Sequence, residues 1–108
     1  MPLLGIRARD TGRLRYKAKV DANQQDIVKA LRDMGCSVQS LAMVGGGVPD
    51  LLVGYRGNNY LFEVKDGSKP PSARALTPDQ LDWLQQWRGQ WALIETVEEV
   101  KIAIASFP

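Results

Sequence analysis

The stretch that most restricts this chain is residues 48–65, VPDLLVGYRGNNYLFEVK, in which two apolar-rich runs flank Gly57-Asn58. A Gly-Asn pair between such runs predicts a β-hairpin with a two-residue loop. That loop sets Arg56 opposite Asn59, Leu52 opposite Glu63 and Asp50 opposite Lys65. Side chains alternate faces along a strand. One face of the hairpin therefore carries Leu51, Val53, Tyr55, Tyr60, Phe62 and Val64, all apolar or aromatic. This is the expected core face. The other carries Asp50, Leu52, Gly54, Leu61, Glu63 and Lys65, and is expected to lie away from the interior.

Directly opposed residues have Cβ atoms about 5 Å apart and diagonal ones roughly 7–8 Å. In this register Asp50 and Glu63 are diagonal neighbours, close enough for their carboxylates to share one hard, oxygen-seeking cation, and Lys65 sits beside both. A one-residue slip would throw Asp50 to the core face. The plain structural alternative is an exposed Asp50–Lys65 cross-strand ion pair, worth about 0.2–1 kcal/mol, with Glu63 beside it.

Pro49-Asp50, twelve residues, then Glu63-Val64-Lys65 resembles the signature of the PD-(D/E)XK nuclease superfamily. Within it the pattern is most similar to small stand-alone VRR-NUC domains of phage type and to Holliday-junction resolvases. The similarity rests on an opening helix, the Gly45-Gly46-Gly47 approach to the aspartate, the Glu-x-Lys strand, and Gln80 near the start of the next helix. It spans roughly residues 21–100. The resemblance implies an α/β, restriction-endonuclease-like three-layer core with a mixed sheet flanked by helices. It implies Mg²⁺ or Mn²⁺ held by Asp50, Glu63 and the Val64 carbonyl, with Lys65 and Gln80 completing the catalytic set. Relatives usually carry an acid in the first turn of the opening helix; the matching position here is Gln24, and the nearest acid is Asp26.

The rest of the composition narrows the chemistry independently. The 108 residues contain no histidine and one cysteine, Cys36. That excludes Ser-His-Asp and Cys-His catalysis, His-ligated zinc, a thiolate metal cluster and an internal disulfide. Hydrolysis by such a chain must run on carboxylates, lysine and a hard cation. A hydrophobic share of 44% argues against wholesale disorder, and no apolar run approaches the roughly 20 residues of a membrane span. Met1 to Ile6 is too short for a signal core and precedes its positive charges, so a cytoplasmic location is expected, in the bacterial host if the gene is phage- or prophage-borne. The glycine triplet is not followed by Gly-Lys-Ser/Thr, so it is no phosphate-cradling P-loop and no nucleotide cofactor is expected.

The net charge of +2 is unevenly spread. Residues 1–20 form a basic arm with six cations against Asp10, and residues 21–108 form the nuclease-like domain. Arg13, Arg15, Lys17 and Lys19 alternate with other side chains, as in an edge strand or an extended arm. They serve either phosphate contact or solubility. Asn23 is the expected N-cap of a helix whose stripe is Ile27, Leu31 and Met34 and which Gly35 ends. A strand is expected from Cys36 to Val44, and the glycine triplet then reads as a hinge bordering the active face or as a plain turn. Residues 66–75 read as a loop whose Lys69 and Arg74 are candidates, with Gln24, for nucleic-acid contact.

Thr77-Pro78-Asp79-Gln80 is a capping box with proline at the first helical position. Gln80 is thus a cap partner, a catalytic-site residue, or both. Leu81, Leu84 and Trp87 or Arg88 form the expected core stripe of that helix, which Gly89 ends. Trp83, Trp87 and Trp91 invite a base-stacking reading, but their spacing of four favours core packing for most of them. Residues 90–95 read as a short buried strand, and Thr96-Val97-Glu98-Glu99 as a second capping box opening a last helix. The expected order is α-β-β-β-α-β-α.

These readings converge on a metal-dependent DNA endonuclease, structure-specific for branched or junction DNA. The alternative is an inactive nucleic-acid-binding module of the same fold, to which Gln24 lends support. A lone domain of this size offers few side chains to a duplex, so a homodimer with two sites is expected, with Trp83 or the arm at its interface.

Overall fold

The structure, a computed structural model, describes residues 22–106. Arg13, Arg15, Lys17 and Lys19 lie outside the described residues. The elements are α1 (Ala22–Asp33), β1 (Ser37–Ser40), β2 (Leu51–Tyr55), β3 (Asn58–Val64), α2 (Pro71–Arg74), α3 (Pro78–Gln86), β4 (Trp91–Ile94) and α4 (Val97–Ser106). They build one mixed sheet in the order β1-β2-β3-β4, antiparallel except for β4, which runs parallel to β3.

The expected apolar face of the hairpin is the core. Leu51, Val53, Tyr60 and Phe62 are buried there against Ile27 and Leu31 of α1 and Val100 and Ile104 of α4. Full burial of each such aliphatic or aromatic side chain stabilises the fold by about 1.5–3 kcal/mol. Helix α1 ends where glycine predicts: the Cys36 N–H bonds the Leu31 carbonyl and the Gly35 N–H that of Arg32, the Schellman pattern. Asn23 is not the N-cap, because the helix already begins at Ala22.

The hairpin register differs from expectation by two residues. Leu51 pairs with Phe62, Leu52 with Leu61 and Tyr55 with Asn58, so the two loop residues are Arg56 and Gly57. Both have positive φ, 51° and 81°, as a type I′ turn requires at both central positions. Glycine is favoured at the second of these, and Gly57 takes it, which places Arg56 first and leaves Asn58 in the strand. The apolar pattern does not choose between the two registers, since a shift of two returns every side chain to its own face. Turn chemistry decides.

Several other elements are shorter or more exposed than the sequence suggests. The strand expected to reach Val44 stops at Ser40, and Met43 and Val44 are exposed. The loop at 66–75 contains the short α2, giving the order α-β-β-β-α-α-β-α. On α3 only Leu84 is buried; Leu81 and Trp87 are exposed, and the helix ends at Gln86 rather than at Gly89. Strand β4 is buried only through Ala92 and Ile94, while Trp91 and Leu93 remain exposed. Among the described residues no helix is long and apolar enough to cross a membrane.

Candidate active site

The face of the hairpin opposite the core is not open to solvent as expected. The start of α3 lies over it, and Glu63 is buried to 2% exposure. Continuing the observed register one pair beyond Leu51 and Phe62 sets Asp50 directly opposite Glu63, a spacing of about 5 Å between Cβ atoms rather than the diagonal one. Lys65 consequently has no Asp50 opposite it. Its ion pair is with Glu63, at 3.7 Å, and only 14% of its side chain is exposed. The exposed Asp50–Lys65 pair of the plain structural alternative is absent.

Each member of the cluster is fixed by the backbone around it. The Val64 N–H donates to Asp50 Oδ2 at 2.8 Å, and the Asp50 carbonyl accepts from the Leu41 N–H. The Lys65 N–H donates to the Ile94 carbonyl, locking the end of β3 to β4. Asn23, read from sequence as a cap, instead donates from Nδ2 to the carbonyls of Lys65 (2.9 Å) and Glu95 (3.2 Å). It ties the first turn of α1 to the ends of both strands.

Gln80 is a cap partner, and its side chain also contacts the acid and the lysine. Its N–H bonds Thr77 Oγ1, and its Oε1 accepts from the Thr77 N–H, closing the capping box. The same Oε1 accepts from Lys65 Nζ at 2.9 Å, and Nε2 donates to Glu63 Oε2 at 3.1 Å. A single amide therefore starts the helix and orients both the acid and the lysine. Gly47 supports this arrangement: its φ is +86°, and a Cβ there would lie 2.2 Å from the Asp79 carbonyl oxygen. Only a glycine lets the triplet loop press against the first turn of α3.

A cleft of about 270 Å³ opens over the cluster, lined by Asn23, Gln24, Asp50, Glu63, Lys65 and Asp66, together with Val64, Lys69, Ala73 and Gln80. The structure thus brings Asp50, Glu63, Val64, Lys65, Gln80, Gln24 and Lys69 to one place. Arg74 is not among the lining residues; its guanidinium bridges Glu95 (3.2 Å) and the Lys69 carbonyl (2.7 Å), bracing the 66–75 segment. Asp26 faces a separate depression with Lys29 and Lys101. Asn23, Asp66 and Ala73 are the lining residues that sequence reasoning did not assign to the site. For the two polar ones position was the only signal, one residue before Gln24 and one after Lys65. Asp66 accepts from the hydroxyl and the N–H of Ser68, which hold its carboxyl below the usual range.

The electrostatics single out one atom. Glu63 Oε1 is buried without a hydrogen-bond partner. Loss of solvent and the facing Asp50 carboxylate push the Glu63 carboxyl up to about 8, against a smaller opposing pull from Lys65. Two species resolve such a pair of acceptors, a retained proton or a cation. The donor set consists of two carboxylates and nearby amide and carbonyl oxygens. It fits a hard divalent ion. Among the described residues no third histidine, cysteine or carboxylate joins it, so any remaining ligands would be neutral.

No family model and no curated protein matches the chain. Among solved structures, a chain described as "VRR_NUC domain" superposes with a TM-score of 0.62 at 26% identity, covering 82% of this chain and 96% of that one. The chain has the VRR-NUC fold. The α/β architecture, a mixed four-stranded sheet flanked by helices, is that of a restriction-endonuclease-like nuclease domain.

Proposed function

We propose that this VRR-NUC-fold chain is a divalent-metal-dependent DNA endonuclease that hydrolyses phosphodiester bonds, acts on branched or junction DNA, and works as a homodimer. The observation that carries the reading is the partnerless, buried oxygen of Glu63 facing Asp50 beneath an anchored lysine. Burying an acid pair is costly, and the cost is offset when a cation joins it. Asp50, Glu63 and the Val64 carbonyl would hold Mg²⁺ or Mn²⁺, which when bound supplies Lewis acidity toward phosphoryl oxygen and lowers the pKa of water.

The chain's own residues do the positioning. Lys65 presents an ammonium to the charge that builds on the phosphate or to the attacking water, held in place by Gln80 Oε1. Gln24, polar and neutral at the cleft wall, hydrogen-bonds water or phosphate where relatives carry an acid. Lys69 faces the same cleft and contacts the substrate backbone, and Arg74 shapes the segment that carries it. The basic arm with Arg13, Arg15, Lys17 and Lys19 adds salt-sensitive affinity for DNA. No zinc and no nucleotide cofactor are needed for this chemistry, and a cytoplasmic site of action suits a DNA substrate.

Purified protein incubated with four-way, single-stranded and duplex DNA in Mg²⁺, Mn²⁺ or EDTA tests this directly. Metal-dependent products from the branched substrate, lost in Asp50→Ala, are expected. DNA binding without metal-dependent product on any substrate would instead favour the inactive module that Gln24 supports.

A further inference from the structure

Beside the acid cleft on the same sheet face lies a larger one of about 670 Å³ whose walls include Leu52, Leu61, Trp83 and Trp87 and whose rim includes Asn59 and Gln90. It is continuous with the catalytic cluster along both of its supports. Leu61 precedes Glu63 by two residues on one face of β3, about 7 Å along the strand, and Trp83 follows Gln80 by three on α3, one helical turn away. That separation is roughly two stacked nucleotides.

The indoles do not pack into the core, as their spacing suggested. Trp83 and Trp87 stack on one another, centroids 4.8 Å apart and planes 18° from parallel, and Trp87 is 44% exposed. A half-buried Trp83 with an exposed Trp87 stacked on it is a flat platform that another aromatic ring can extend. Amides stand at its rim: Gln90 is anchored by donating to the Asn59 carbonyl, and Asn59 shares the cleft face of β3 with Leu61. One exposed cation borders it: Arg88 stands between Trp87 and Gly89, both on its wall, and among the described residues it has no ion-pair partner. Arg56, in the hairpin turn, instead lays its guanidinium over the Tyr55 ring, 5.1 Å from the centroid, on the core side of the sheet. Aromatic floor, amide rim and a cation at one edge together match a base with a neighbouring phosphate, a chemistry that an apolar peptide or a lipid tail does not use.

We infer that this second cleft receives an unpaired nucleobase of the DNA strand being cut, stacked on Trp87, with Arg88 on a flanking phosphate. The inference rests on the nuclease reading for what lies next door, and it gives that reading a physical source of structure specificity. Only a strand with an unstacked base near the scissile bond fills the cleft, because a base inside a duplex is already stacked on both faces.

The test is binding of the full chain to a fluorescent single-stranded oligonucleotide and to a blunt duplex, measured by anisotropy in EDTA so that nothing is cleaved. Loss of one base–indole stack lowers affinity about 5- to 100-fold. Trp87→Ala is expected to lose that much for the single strand while duplex affinity stays within twofold, and Trp87→Phe is expected to recover most of it. Arg88→Ala should flatten the salt dependence for the single strand. Unchanged single-strand binding in Trp87→Ala overturns the inference, as does an equal loss on both DNAs with an unaltered circular dichroism spectrum. Selective loss in Trp87→Ala, alongside a wild-type protein that cuts no DNA with any metal, would keep the base cleft and remove the nuclease reading. Cleavage with unchanged Trp87→Ala binding would do the reverse.

Discussion

Replacing Glu63 with glutamine should make the metal-free protein more stable at neutral and alkaline pH while destroying its activity. In the folded chain this carboxyl is pushed from its ordinary value near 4.5 up to about 8. Between those values the native state keeps a proton that the unfolded chain has released. Stability therefore falls as pH rises through this window. Each unit of separation corresponds to about 1.4 kcal/mol, so by pH 8 the ionisable acid costs the native state at most about 4–5 kcal/mol. Glutamine carries no charge, keeps an oxygen for Gln80 Nε2, and offers Asp50 a donor. It also forfeits the ion pair with the half-buried Lys65, so a net gain of roughly 2–3 kcal/mol is expected. Urea melts of both proteins in EDTA from pH 5 to 8.5 would check this. The two should be close at pH 5 and diverge as pH rises. In saturating Mg²⁺ the order should reverse, because the cation stabilises only the protein that binds it. A difference independent of pH, or a mutant less stable at pH 8.5 without metal, would refute the argument that Glu63 is a buried, frustrated acid.

Four further outcomes follow from the same geometry. Asp50→Ala and Lys65→Ala should each reduce cleavage by about a thousandfold or more with unchanged far-UV circular dichroism, since neither belongs to the core cluster. Gly47→Ala forces a methyl against the Asp79 carbonyl at a positive φ; a stability loss of about 2 kcal/mol or more and a fall in kcat are expected, read by melts and kinetics together. Gln80→Ala removes the reciprocal half of the capping box along with the contacts to Glu63 and Lys65, so it should lower stability by about 1 kcal/mol and cut activity further than that loss explains. Arg56→Asn relieves a left-handed non-glycine residue, a conformation costing about 1–2 kcal/mol, and should raise Tm by a few degrees in a thermal scan.

The hairpin face pattern was legible in the sequence because it depends only on parity. Leu51, Val53, Tyr60 and Phe62 had to share one side, and they do. The Thr77–Gln80 cap was legible because its chemistry is local. What the sequence left open were the choices that local pattern does not constrain. Two registers two residues apart have identical faces, so Asp50 was paired with Lys65 when it lies across from Glu63. The tryptophans at spacings of four looked like a core stripe, yet the sheet beneath α3 offers only Leu61 as a buried apolar partner on that side, and the helix itself buries only Leu84. Among the described residues no further element covers the indoles, and Trp87 stays at the surface.

The second layer over the hairpin changes what the carboxylates are. On an open face, Asp50 and Glu63 would be two solvated acids with ordinary affinities and little reason to prefer a cation over water. With α3 laid across them, Glu63 loses solvent, its oxygen loses its partner, and the pair becomes a site whose metal-free form is the less satisfied one. Gln80 is the hinge of that logic: the bonds that make it the third residue of a helix also seat the lid of the site and aim Lys65. The glycine at position 47 has the same double character, since the contact that lets the helix start close in is what places Gln80 within reach of both charges. The geometry of the acid–lysine cluster and helix nucleation share their atoms here. A substitution that repairs the frustration at Glu63 should therefore gain stability only by giving up the driving force for binding the metal.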